Sequence, residues 1–229
     1  MQKILFLAFW LHDWSVDFLV KHLRFMKMAI LLVAHLSLFG FFFPELRKSF
    51  GSLAGDLLIG ILFISPLSRI FRIRLFALIV ALRRELGILM AYLATVHGLG
   101  YILDPTWFQV TIAPFYAEWH NGYIFGILAY ALTLPLLLTS NSFSVKHIGS
   151  PTWKIIHRTV YTLFVFAILH RFFIKTGSSG RVELAVVEST ILIGGYIIVR
   201  LLAWKNFLPP LRKLIEWVSV SYKEYKTLS

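Results

Sequence analysis

The stretch "IIHRTVYTLFVFAILHRFFI", Ile155–Ile174, is a run of 20 residues interrupted only by hydroxyls and by two His-Arg pairs, His157-Arg158 and His170-Arg171. Twenty predominantly apolar residues is the length of α-helix that crosses the hydrocarbon core of a bilayer. Inside lipid an ionisable side chain is expensive, and by default it marks a functional position. Two such pairs in one membrane-length run therefore raise a question of fold and a question of chemistry together.

The rest of the chain answers the first. Of 229 residues 58% are hydrophobic and only 15% charged, and the mean hydropathy is +0.75. A soluble domain has nearer a quarter charged residues. Apolar runs recur at Lys27–Pro44, Leu53–Leu67, Leu86–Leu103, Tyr123–Leu138, Ile155–Ile174 and Leu184–Trp204. The second reaches spanning length if its helix begins near Phe50, and the fourth if it begins near His120. The expectation is an all-α integral membrane protein, a six-transmembrane-helix bundle occupying residues 27–204. Residues 1–26 read as an N-terminal interfacial segment, because their apolar run is too short to span and no small-residue cleavage site follows it. Residues 205–229, opened by Pro209-Pro210, read as a cytoplasmic amphipathic tail.

Net charge is +12, a value that elsewhere would point to nucleic acid. Its distribution points to topology instead. If both termini are cytoplasmic, the inner segments hold four, five, three and six of the Lys and Arg residues, 18 of the 23. The outer connections hold the other five. That bias is the positive-inside rule, and it predicts a multi-pass membrane protein with cytoplasmic termini and no nucleic-acid partner.

The absence of cysteine excludes Cys-ligated iron–sulfur clusters, thiolate-bound haem, c-type haem and disulfides. No P-loop and no dinucleotide-binding glycine turn is present. The intramembrane ionisable groups that remain are mostly histidines. In the expected topology His97, near the outer end of the third run, and His170, near the outer end of the fifth, lie in the same leaflet. Two neutral imidazoles on facing helices are the usual means of holding a six-coordinate b-type haem. His157 lies about 20 Å below His170 along the helix axis, near the inner face. Thirteen residues at 100° each leave those two about 140° apart, so they share a face only if the helix bends or contains a local irregularity. Fourteen residues leave Arg83 and His97 only about 40° apart.

The segments "LLIGILFISPLSRI" (57–70), "ALRRELGILMAYLATVHGLGYIL" (81–103) and "LLLTSNSFSVKHIGSPTWKIIHRTVYTLFVFAILHRFF" (136–173) resemble the ferric-reductase-like transmembrane domain family. Within it they are most similar to the haem-binding membrane subunits of bacterial methionine sulfoxide reductase systems. The resemblance covers roughly Leu53 to Phe173. It rests on the basic pair Arg83-Arg84, the single histidine of the third run, the Thr139-Ser140 ending, the Trp153-x-x-x-His157 entry and His170. It implies a six-helix b-type cytochrome that carries electrons across the inner membrane, with His97, His157 and His170 at the motif histidine positions.

The sequence departs from the larger flavocytochrome relatives in two respects. They carry a second histidine fourteen residues before the one matched by His97, and Arg83 stands there. Either the inner haem is absent, or Arg83 or another residue completes it, or its iron is five-coordinate, so one or two haems b are expected. A charged guanidinium has no lone pair to give a metal, which makes partnership with haem propionates the preferred role for Arg83 and Arg84. The second departure is that no flavin or nicotinamide domain follows Trp204. The expected electron source is a cytoplasmic flavin reductase or membrane quinol, with an FMN at the inner face left open. The expected acceptor is a periplasmic molybdenum-cofactor reductase.

Simpler roles stand beside these. Arg158 and Arg171 read first as interfacial anchors and second as propionate partners. His35 reads as hydrogen-bonding within the bundle, with a third ligand site as the alternative. His120 and His147 read as solvated, and Trp153 as an interfacial anchor or a wall of a haem site. Three functions remain open: a haem b electron-transfer subunit, a stand-alone ferric or oxygen reductase, and a haem-free histidine relay of transporter type.

Overall fold

A computed structural model describes residues 2–104, 122–179 and 182–205, and every described element is helical. Helix α1 runs from Gln2 to Ser37 and passes into a short 3₁₀ turn, Leu38–Phe42. Then come α2, Leu46–Phe71; α3, Arg74–Val80; and α4, Arg83–Ile102. Beyond the undescribed stretch lie α5, Tyr123–Leu138; α6, Ser142–Ile148; α7, Ser150–Arg158; α8, Val160–Ser179; and α9, Val182–Lys205.

Five stretches are long and apolar enough to cross a membrane: Asp13–Phe42, Leu46–Phe71, Arg83–Ile102, Ser150–Thr176 and Val182–Trp204. The pair α5 and α6, bent by 89°, makes a sixth if it is counted as one span. These are the six apolar runs of the sequence, and together they make an integral membrane helical bundle. Two boundaries differ from the sequence expectation. Helix α1 shows no break near residue 26, so the start of the chain and the first apolar run are one continuous helix. The fifth run is divided at Thr159. The proposed cytoplasmic tail beyond Lys205 lies outside the described residues, as does His120.

Local chemistry explains the breaks. Arg72 takes a left-handed conformation (φ 49°) that terminates α2. Asn141 caps α6, its side chain accepting from the Ser144 amide at 2.7 Å. Gly149 has φ 78° and ψ 151°, a backbone state that a Cβ would disfavour, and Pro151 follows in the first turn of α7. At Thr159 the amide turns to the carbonyl of Ile156, three residues back, so the helix tightens by one bond before α8 continues.

Helix α2 packs along α4, α5 packs along α8, and α4 meets α5 to join the two pairs. Ala54, Leu58, Ile61 and Leu62 of α2, Met90 and Leu93 of α4, Leu136 of α5 and Val160, Leu163, Phe164 and Ile168 of α8 form one continuous core. Helix α1 lies against α4, and α9 against α8 and α2. In lipid such packing comes from van der Waals fit rather than from the hydrophobic effect, and small residues at the seams permit it. Helices α4 and α8 carry His97 and His170, and α7, which leads into α8, carries His157.

Candidate functional site

His97 and His170 meet between α4 and α8, with ring centroids 6.1 Å apart and planes inclined at 70°. Each ring is fixed in the same way. The Nδ1–H of His97 donates to the carbonyl of Arg47, in the first turn of α2, at 2.9 Å. The Nδ1–H of His170 donates to the carbonyl of Gly122, at the start of α5, at 2.7 Å. A carbonyl only accepts, so Nδ1 carries the proton and Nε2 keeps the lone pair in both neutral rings. Both rings are thus metal-ligand tautomers oriented by an outer hydrogen bond, the usual support for a ligating histidine.

Glycines make room for the rings. A Cβ on Gly51 would collide with the imidazole of His97, and a Cβ on Gly126 would lie 2.8 Å from Nδ1 of His170. A Cβ on Gly122 would stand 2.7 Å from the backbone oxygen of His170. Gly51 begins a Gly-x-x-x-Gly repeat with Gly55, and Gly122 another with Gly126. That spacing signals close helix approach and was readable in the sequence. Its partners were not.

The donor set decides what the site can hold. Among the described residues no group of three or more His, Cys, Asp or Glu side chains is arranged to hold a metal ion. Two imidazoles alone fall short of the four ligands of a structural zinc site, but they suit a metal whose other ligands come from a macrocycle. Two imidazoles bonded at about 2 Å to opposite sides of one first-row metal have centroids roughly 6 Å apart. The separation observed agrees with that, so His97 and His170 would suit a haem held between them.

The inner side is built differently. Trp153 and His157, four residues apart and so on one face of α7, stack at 4.0 Å with planes inclined at 28°. Nε1–H of Trp153 donates to the Thr139 carbonyl at 2.9 Å. The Thr139 hydroxyl donates to the Pro135 carbonyl at 2.6 Å, so at its 3.1 Å contact it receives Nε2–H of His157. His157 therefore shows the opposite tautomer to the outer pair. It and His170 both turn toward α5, one to each end, despite the 140° expected of an ideal helix. The tightened turn at Thr159 lies between them.

The arginines divide. Arg83 donates to the Ser65 hydroxyl at 3.0 Å and lies within electrostatic reach of His157. Arg84 donates to the Ser140 carbonyl at 3.0 Å, and Arg158 is exposed. Arg171 pairs with Glu188 of α9 at 2.7 Å and with Asp56 of α2 at 3.3 Å, and Lys175 also pairs with Glu188. Sequence reasoning missed this network of Asp56, Lys175 and Glu188. It also missed Arg47, whose guanidinium bonds Asp104 at 2.8 Å. His35 does hydrogen-bond within the bundle, to the Leu31 carbonyl and to Tyr92. His147 is exposed and bonds the Phe143 carbonyl.

Residues 50–168 match the family described as "Ferric reductase like transmembrane component". That is just over half of the chain; it takes in His97 and His157 and ends two residues before His170. Among curated proteins the chain is 34% identical over 106 residues to the protein-methionine-sulfoxide reductase heme-binding subunit MsrQ of Deinococcus radiodurans, covering 43% of this chain and 49% of that protein. It is 31% identical over 142 residues to the MsrQ of Agrobacterium fabrum, covering 61% and 62%. A stretch of 95 residues is 28% identical to the magnetosome protein MamZ of Paramagnetospirillum magneticum, covering 38% and 14%. The matched stretch thus spans about half to three fifths of the length of the MsrQ proteins named. No solved structure matches.

Proposed function

This chain belongs to the ferric-reductase-like transmembrane component family, and from that premise we propose that it is a membrane electron-transfer subunit holding haem b between His97 and His170. The observation that carries the reading is the outer pair itself: two imidazoles 6.1 Å apart, each with Nδ1–H committed to a backbone carbonyl and Nε2 left as ligand. The relatives named heme-binding subunits of protein-methionine-sulfoxide reductase support it independently. A haem b bound there supplies one-electron redox chemistry inside the hydrocarbon layer.

The residues of the chain have separable tasks. His97 and His170 are the ligands. The Arg47 and Gly122 carbonyls fix their rings, and Gly51 and Gly126 leave the space those rings occupy. The core of α2, α4, α5 and α8 keeps bulk water from the pair. His157 and Arg83 mark the inner side, where a second haem would lack a second imidazole, so the geometry favours one bis-histidine haem in the outer half of the protein.

The positive-inside charge bias supports cytoplasmic termini, and the reading places the protein in the bacterial inner membrane. In that orientation electrons enter from a cytoplasmic flavin reductase or from membrane quinol. They leave at the outer face for a periplasmic reductase of the methionine sulfoxide type, a molybdenum-cofactor enzyme. Purified protein should show a reduced-minus-oxidised b-type spectrum. His97→Ala and His170→Ala should each remove the same low-spin haem, and survival of the full low-spin spectrum in either variant would refute the pairing.

A further inference from the structure

Helix α1 places His35 inside the membrane-length stretch Asp13–Phe42, yet its side chain is exposed. Its neighbours Leu32, Val33, Leu36 and Phe39 are between 51% and 61% exposed, whereas Ala34 and Ser37, which face the bundle, are 0% and 8%. His35 therefore stands on the rim of the seam between α1 and α4, open to lipid. Its Nδ1–H donates to the Leu31 carbonyl at 2.7 Å, which leaves the lone pair on Nε2. Tyr92 of α4 donates its hydroxyl to that Nε2 at 3.3 Å, and the two rings lie 5.1 Å apart at 54°. Among the described residues neither ring has a charged partner.

A polar, ionisable pair on a lipid-facing seam is costly, and an apolar pair such as Leu and Phe would fill it without that cost. Its bonding state defines what it can receive. Once its proton is given to His35, the Tyr92 oxygen keeps lone pairs that accept from an incoming O–H. The surrounding phase admits only a molecule dissolved in lipid, and a seam without charge favours a neutral one. Two aromatic edges beside the acceptor favour a flat ring that carries the hydroxyl. The exposed apolar side chains of α1 above and below offer a track for a hydrocarbon tail.

We propose that His35 and Tyr92 form a binding site for the ring hydroxyl of a membrane-dissolved hydroquinone. Tyr92 precedes His97 by five residues on the same helix, about 7.5 Å along the axis and about 140° around it, so the site lies within two turns of the outer ligand pair on another face of α4. The inference rests on the reading that lipid-borne quinol is a source of electrons. It deepens that reading by giving the donor a place.

The test is anaerobic photolabelling in nanodiscs with an azido-hydroquinone bearing an isoprenoid tail, on the wild-type chain, His35→Phe and Tyr92→Phe. Label should fall on the peptides 31–39 or 88–96 and be displaced by decyl-hydroquinone but not by dioleoylglycerol. Tyr92→Phe removes one hydrogen bond and should raise the half-displacing concentration about five- to tenfold. His35→Phe should abolish the label at both peptides. Unchanged labelling in both variants would overturn the site. Equal displacement by dioleoylglycerol would also overturn it, since the seam would then hold a lipid hydroxyl. The haem spectrum of the same samples separates the two readings: a wild-type protein without b-type haem defeats the proposed function, while the labelling still decides the site.

Discussion

Replacing Gly126 by alanine adds one methyl group at the ring of His170, and the structure says what that costs. The new carbon would sit 2.8 Å from Nδ1 and 2.9 Å from Cε1 of the imidazole, where ordinary contact begins at 3.4 Å. One of them must yield by about 0.6 Å. The methyl is fixed to the α5 backbone, and the ring is tethered to that same helix through Gly122 at 2.7 Å. A ring displacement of that size takes a hydrogen bond beyond its usual 2.7–3.2 Å range. Overpacking of this kind costs typically 1–3 kcal/mol. In the opposite direction, Gly→Ala within a helix gains about 1 kcal/mol, so overall stability should change little. The penalty falls on the ligand: at about 1.4 kcal/mol per decade, haem retention should weaken roughly five- to 150-fold. The assay is haem per polypeptide with the low-spin optical or electron paramagnetic resonance spectrum. Gly60→Ala is the control, because a Cβ there meets nothing within 4 Å. Full haem with an unchanged spectrum in Gly126→Ala, or an equal loss in Gly60→Ala, would refute the reasoning.

Other outcomes follow from the same geometry. Gly51→Ala should act on His97 as Gly126→Ala acts on His170, lowering haem content and low-spin signal together. His157→Ala should leave the outer low-spin spectrum intact, since His157 bonds Thr139 and stacks on Trp153 rather than on either outer ring; loss of that spectrum would assign His157 to the outer pair. Glu188→Gln removes the carboxylate shared by Arg171 and Lys175, so the thermal midpoint should fall by a few degrees with haem stoichiometry retained. Loss of haem at ambient temperature in that variant would instead tie Arg171 and its partners directly to the cofactor. Anaerobic NADPH alone should leave the haem oxidised, and reduction should follow on adding a flavin reductase with free flavin, or a quinol, because hydride carries two electrons and haem takes one.

What the sequence determined by itself was the set of local properties. Hydropathy over windows of about 20 residues is a property of consecutive side chains, so the six apolar runs and the helical bundle were legible in it. The candidate histidines were legible too, because ionisable groups stand out against an apolar background. Trp153 and His157 stack as their four-residue spacing requires. Tertiary structure decided the partners. His97 gives its Nδ1–H to a carbonyl 50 residues away, His170 to one 48 away, and Arg171 reaches Asp56 across 115 residues. Nothing in a periodicity encodes those distances. The facing of His157 and His170 shows the same limit. Ideal helical angles set them apart, yet His157 reaches Thr139 after the last turn of α5 and His170 reaches Gly122 before its first, with the chain between them tightened at Thr159. Spacing fixes direction only while the helix stays regular, and where it breaks, the neighbouring helices decide which way a side chain points.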